Sequence, residues 1–372
     1  MRLSIKGLEA VVASYVDASK ISVESFSVTR DNIIGLLDKV GKIYTIDTTV
    51  YDKLPELDGE VLSFGKTVEE WQLDMTLPID YDADTDGTKA LANYAPSARP
   101  VSYSYTLGKK IFATSIPYNN IERAVHFEAQ LVEIVSRITK KLEDSVASWK
   151  YGLKRELLGK AIAKAEAAIS GATTYTQNST VLAAGTYYKN SSGDVALCMK
   201  SETAAVNKSF ATLVGDGQLI VIKMIHTCAV PVDDTTGEAF IQAVKEEVEH
   251  ARDVNEGYSF NGNVIGVEEG LKLYVNQGIL PSLEVNTLAG AFHEEKLAMD
   301  VEAKAIKDFG GYSGNAFAIL MDSRAVRLFQ DYNGTFQQEN GFAARMNYFR
   351  HLEFTGHISR NAFIVVFVPA AE

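Results

Sequence analysis

Six histidines, two cysteines and a run of alternating aspartates are the residues of this 372-residue chain whose types and spacing could do chemistry. His126, His226, His250, His293, His351 and His357 form no HExxH and no pair at helical metal spacing. His351 and His357 lie six apart in a strand-like stretch and can share a face; surface or cross-strand packing is the simpler reading, a metal pair the sharper one. Cys198 and Cys228 lack the CxxC spacing of zinc and redox sites, and a buried thiol of that kind behaves as a small hydrophobe. No GxSxG elbow, GxGxxG turn or Walker loop occurs. Gly35 to Lys42 comes closest, but it has five residues between its glycines and ends in Lys-Ile. Asp80, Asp82, Asp84 and Asp86 alternate as calcium ligands do, yet Gly87 follows directly and no glutamate closes the loop. Solvation of a loop tip explains them better, with a weak divalent site as the alternative. No residue is therefore assigned to catalysis, to a cofactor or to a metal, and an enzyme would need convergent titratable groups that the sequence does not offer.

The composition sets further bounds. With 46% hydrophobic residues the chain can bury one large or two ordinary cores, which predicts two lobes. Its net charge of -12, from 36 basic against 48 acidic residues, argues against a protein whose main task is to grip phosphate backbones. Arg2 and Lys6 precede an apolar stretch that Ser14 and Asp17 interrupt, so neither a signal peptide nor a spanning helix is expected, and assembly in the cytoplasm without membrane contact is.

The elements that would have to position any working surface are unusual. Residues 1–62 alternate short apolar patches with charge and read as an arm rather than a core. From Trp71 the pattern changes: Trp71, Leu73, Met75, Leu77, Ile79 and Tyr81 are apolar and the residues between them are not. Eleven positions of period-two alternation extend about 37 Å, well beyond an ordinary strand, with Pro78 marking an edge or bulge. Residues 82–100, which include Tyr94, form a polar tip rich in Asp, Ala, Thr and Asn. Alternation then resumes through Val101, Tyr103, Tyr105 and Leu107 and on to Ile111 and Phe112. Two long strands joined by a polar tip make an extended hairpin, and a lone ribbon with an apolar face needs cover from outside itself. The simplest cover is another copy. Trp71, Leu73, Met75, Leu77, Ile79, Tyr81, Tyr94, Tyr103 and Tyr105 are the candidate inter-subunit contacts.

At Pro117 the period switches to about 3.6. Asn119 and Glu122 stand as a variant capping box, and Ile121, Val125, Leu131, Val135, Ile138, Leu142, Val146 and Trp149 form one stripe. The helix predicted from Asn119 to Trp149 spans about 46 Å, with a possible kink at Gly152 and further helix over 153–169. Residues 171–197 read as a surface β excursion. Beyond them come a short helix over 201–213, a strand over 219–225, a helix over 237–254, a strand over 271–275, a helix over 294–309 stopped by Gly310-Gly311, and strands over 316–321 and 362–368 flanking a helix over 323–332.

This order of arm, long hairpin, long helix, mixed lobe and closing β segment resembles the major capsid proteins of tailed bacterial viruses, the Hong Kong 97-type fold. The segment from Tyr103 through Lys109-Lys110 to Pro117, running into Asn119, looks like that family's passage from E-loop to spine helix. The resemblance implies an α+β fold with 1–62 as N-terminal arm, 63–116 as E-loop, and 117–199 as spine helix and first part of a peripheral domain. It further implies 200–310 as an axial domain and 311–372 as the closing β segment of the peripheral domain. It implies a structural, non-catalytic subunit that self-assembles as hexamers and pentamers into an icosahedral shell around double-stranded DNA, held without sequence-specific contacts. A separate scaffolding protein and a portal would be its partners and the virion its location; no cofactor is implied. Some members join subunits through a lysine and an asparagine, for which Lys89 and Asn361 are available and nothing more. A cellular nanocompartment shell of the same fold is the nearest rival, an α/β enzyme a more distant one. Neither the repeats nor the trimeric β patterning of a tail or adhesion protein is present.

Overall fold

A computed structural model of the chain describes residues 50–62, 68–73, 98–102, 105–117, 128–263, 265–279, 301–343 and 345–370. A single 3-10 turn at Pro55–Leu57 precedes β1 (Asp58–Val61). There follow β2 (Glu69–Leu73), β3 (Ala98–Ser102), β4 (Tyr105–Pro117), the helix α1 (Glu128–Ser170) and the short strands β5 (Thr173–Thr174), β6 (Tyr187–Lys189) and β7 (Val195–Cys198). Next are α2 (Phe210–Gly215), β8 (Leu219–Val221), β9 (Ile225–Cys228), α3 (Asp234–Arg252), β10 (Leu271–Asn276) and β11 (Glu302–Ile306). The chain closes with β12 (Ala318–Asp322), β13 (Val326–Asn340), β14 (Arg345–Ile358) and β15 (Ile364–Pro369). It divides into two compact units, neither contiguous: 1–55 with 107–152 and 330–354, and 56–106 with 153–329 and 355–372.

In the second, larger unit the core is a five-stranded sheet in the order β11-β10-β12-β15-β9. The outer pairs β10–β11 and β15–β9 are parallel, while β12 runs antiparallel to both β10 and β15. Ile319, Leu320 and Met321 of β12 and Ile364 to Phe367 of β15 are buried on both faces, as continuous apolar strands in mid-sheet must be. Helix α3 packs on this sheet through Phe240, Val244, Val248 and Ala251, one stripe at three- and four-residue steps. The Phe240 ring centroid lies 5.4 Å from those of both Phe317 and Phe367. A reciprocal cap starts the helix: Asp233 accepts from the Thr236 backbone N–H at 2.8 Å while the Thr236 hydroxyl accepts from that of Asp233 at 3.1 Å. A smaller sheet, β5-β6-β7-β8, closes over Tyr175, Leu182, Tyr188, Leu213 and Leu219.

In the first unit Trp149 of α1 stands between Phe112 of β4 and Phe354 of β14, at 5.5 and 5.4 Å between ring centroids. Lys110 Nζ lies 5.3 Å from the centre of the Trp149 ring. Alternation along β4 turns Ile111 to the opposite face, where it is exposed. Lys109 pairs with Glu353 at 3.5 Å, and the Ser115 hydroxyl donates to Asn347 at 2.6 Å.

Several expected elements are different. Residues 302–306 are a strand rather than the end of a helix: Glu-Ala-Lys-Ala-Ile favours helix locally, but pairing with β10 and burial of Ile306 decide the outcome. Residues 326–332 likewise belong to the 15-residue strand β13 and not to a short helix. The apolar run 219–225 is two strands in two sheets, separated where Ile222 bonds to Val195 and Lys223 to Gly257. The first helix after the β excursion is confined to Phe210–Gly215, started by Ser209. The boundary expected at 310/311 does not separate two sheets, because β12 and β15 lie in one sheet with β9, β10 and β11. Helix α1 is uninterrupted through Gly152. The expected cap at Asn119 and Glu122, and residues 1–49 of the arm, lie outside the described residues.

Candidate assembly surface

A ribbon stands within the expected hairpin, but β3 takes in residues 98–100 of the expected tip, and β4 pairs in another sheet instead of continuing it. Strands β2 and β3 pair antiparallel with Glu69 opposite Ser102, Trp71 opposite Pro100 and Leu73 opposite Ala98. Trp71 is 62% exposed, a large indole mostly open to solvent among the described residues. Leu73 holds a backbone position in the ribbon and Tyr105 the first position of β4. Met75, Leu77, Ile79, Tyr81, Tyr94 and Tyr103 lie outside the described residues, as do the aspartates 80–86 and Lys89.

Pleating puts Glu70 on the face opposite Trp71, and there the ribbon is tied down. Glu70 accepts a bond from the Ser359 hydroxyl at 2.6 Å and from the Arg360 backbone N–H at 3.2 Å, with His357 Nε2 at 3.7 Å. His357 and Ser359 are buried. Burial alone would push the Glu70 carboxyl up, but the bonds from His357, Ser359 and Arg360 together hold it below the usual carboxylate value. Lys164 of α1 feels the same group of charges. Burial, then Arg360, pull its ammonium down to about 8 against the partial support of Glu70, and its Nζ lies 4.7 Å from the centre of the Phe260 ring.

Sequence reasoning missed this anchor, since Glu70 and Ser359 are 289 residues apart and no local pattern links them. It also missed the long hairpin β13–β14, whose tip carries a fully exposed Phe342 and whose flank carries exposed Tyr332 and Phe336. Asn340-Gly341 at its turn was the available signal.

A further titratable cluster gathers on α3. Buried Glu247 of α3 is bonded by His226 Nδ1 at 2.6 Å and approached by His250 Nδ1 at 3.4 Å, and the Tyr258 hydroxyl meets His250 Nδ1 at 2.9 Å. The Glu247 bond raises the His226 pKa against the opposing effect of burial. Burial, reinforced by Glu247, raises that of Tyr258. Cys228 is pushed up to about 11 by burial, so its thiol is a poor nucleophile. Asn361 Oδ1 accepts from the Asn261 and Asn263 amides at 2.6 and 2.9 Å. Among the described residues no three His, Cys, Asp or Glu side chains gather as metal ligands, and no helix is long and apolar enough to cross a membrane. The geometry shows one exposed aromatic side chain on a ribbon whose opposite face is bonded to its own unit.

The chain is similar in structure to a capsid chain of Staphylococcus phage Andhra, with a TM-score of 0.59 at 10% identity over 89% of this chain and 87% of that one. It is also similar to a capsid chain of cyanophage P-SCSP1u, with a TM-score of 0.50 at 10% identity over 89% and 92%. These likenesses establish the α+β capsid fold of tailed phages, the Hong Kong 97-type. A search of curated proteins gives no significant match. The sequence model of one family spans residues 4–368, nearly the whole length, and by it the chain belongs to the Phi29-like phage major capsid proteins, structural subunits that build the virion shell.

Proposed function

We propose that this subunit of an icosahedral phage head holds its neighbours chiefly through the β2–β3 ribbon and the segment that extends from it. The observation that carries this reading is Trp71, exposed on one face of a ribbon whose other face is fastened by Glu70. A two-stranded ribbon gains stability when a partner covers its apolar face, and an exposed aromatic anchor is the usual centre of such an interface. The remaining candidates, Leu73, Met75, Leu77, Ile79, Tyr81, Tyr94, Tyr103 and Tyr105, would extend the same contact. Each subunit in a closed lattice of hexamers and pentamers is held at several interfaces at once, so modest affinity at each is sufficient.

In this reading 1–62 is an arm, 63–116 the hairpin, 117–199 the spine helix with the first part of a peripheral domain, and 200–310 an axial domain whose sheet takes in β12 and β15 of the closing segment 311–372. Double-stranded DNA fills the shell without sequence-specific contacts, in keeping with a net charge of -12 that discourages the wall from trapping it. A separate scaffolding protein and a portal complete the assembly in the host cytoplasm, and the subunit itself performs no catalysis. The nanocompartment alternative is not favoured, because the family that spans the chain is a phage one. Negative-stain microscopy of the expressed chain, alone and with a co-expressed scaffold, tests the proposal. Icosahedral shells filled with nucleic acid on packaging support it. A persistent monomer under both conditions, with hydrolytic activity, overturns it.

A further inference from the structure

We propose that Glu70 is a positioning residue for assembly: a one-carboxylate latch that sets the angle at which the β2–β3 ribbon leaves its unit. The inference rests on reading the ribbon as the grip on a neighbouring copy. Its physical basis is a socket built independently of the ribbon. The Ser359 hydroxyl oxygen accepts from the backbone N–H groups of Asn361 and Ala362 at 3.1 and 3.0 Å, which leaves its one proton for Glu70. The Ser359 N–H bonds to the Ala325 carbonyl at 2.7 Å, and the Arg360 carbonyl accepts from Asn261 at 3.0 Å. The socket is thus bonded to the core segments on both sides and remains when Glu70 is removed.

Across the pleat, Trp71 is largely exposed, and among the described residues Glu70 is the side chain of the ribbon that bonds to the body of the unit. Loss of the Glu70 contact therefore frees an angle rather than unfolding a domain. The charges that face the carboxylate are His357 of β14, Arg360 of the turn and Lys164 of α1, all cationic when protonated. Against the upward push of burial, the bonds from His357, the Ser359 hydroxyl and the Arg360 backbone N–H hold the Glu70 pKa below its ordinary 4.5; the latch is fully engaged above that value and opens as pH falls through the lowered one. A shell that places one sequence in pentamers and hexamers needs the same ribbon at more than one angle, and a single contact is the smallest device that permits it.

The test uses hydrogen–deuterium exchange of the full-length, unassembled chain, read on peptides covering Glu69–Leu73 and Ala98–Ser102. Glu70→Ala, Glu70→Gln and Ser359→Ala are expected to speed exchange there by about tenfold, the loss of a charge-assisted bond, with α3 and β15 unchanged. In the wild type, protection of these peptides falls as pH is lowered below 4.5, and Glu70→Gln abolishes that step while leaving other acid transitions in place. Equal ribbon exchange in wild type and variants, or an unaltered step in Glu70→Gln, overturns the latch. If Glu70→Ala fails to fold, Glu70→Gln and Ser359→Ala decide the matter. Because exchange is read before assembly, failure of the latch stays distinct from failure of the grip, which Trp71→Ala tests in assembled particles.

Discussion

Lys154, fully buried in α1, lies with its ammonium 2.9 Å from the carboxylate of Asp58 in β1. The pair joins the second half of the long helix to the first described strand, and breaking a buried pair from one side costs more than the pair itself contributes. Asp58→Ala is expected to lower unfolding stability by about 3 kcal/mol, and the double change with Lys154→Met to recover most of it. Urea denaturation of the unassembled subunit measures both.

Two glycines of the same helix should respond with opposite signs. A Cβ on Gly159 would meet the backbone carbonyl of Phe309, and one on Gly310 would meet the backbone of Glu156, so here helix and loop touch backbone to backbone. A Cβ on Gly152 would meet nothing. Gly152→Ala should therefore stabilise by about 1 kcal/mol through helix propensity, and Gly159→Ala should destabilise by about 2 kcal/mol through overpacking. Thermal unfolding of the two variants side by side is the measurement.

The Glu247 bond raises the pKa of His226 from 6.5, so the folded state holds that proton more tightly than the unfolded one. Its stabilising share is fully present below 6.5 and is lost as pH rises through the higher folded value. His226→Gln should cost more stability at pH 6 than at pH 9, and a pH-independent difference would remove the charge-based explanation.

Trp71→Ala should leave subunit stability within about 0.5 kcal/mol, since the indole is largely in water, yet weaken association by about 2 kcal/mol per contact. Light scattering during assembly reads the second effect as a raised threshold concentration. Unchanged assembly would mean the ribbon is not the grip.

Legibility in the sequence followed the locality of the interactions. Phe240, Val244 and Val248 announce α3, and the Phe363-Ile-Val-Val-Phe-Val368 run announces β15, because burial there is written at one period over a short window. The β13–β14 hairpin contains two Asn-Gly pairs, and only tertiary pairing decides that Asn340-Gly341 turns while Asn333-Gly334 continues as strand. Val326, Phe329 and Tyr332 also fall at helical steps, which hides the strand. At the candidate surface the exposed Trp71 was readable from alternation. Its anchor was not, because Glu70 is an ordinary strand-flanking acid until the fold brings Ser359 to it.

The position of β15 has a bearing on how the chain is made. It sits inside the five-stranded sheet, between β12 and β9, although it follows every other strand in the sequence. A growing polypeptide cannot close that sheet until residues 364–369 have left the ribosome, so β9 and β12 wait until then for the strand that separates them. Products that stop before residue 364 would lack this inner strand and offer no finished body to a lattice. A chain without β15 would expose the facing edges of β9 and β12, and an open edge favours aggregation over entry into an ordered lattice.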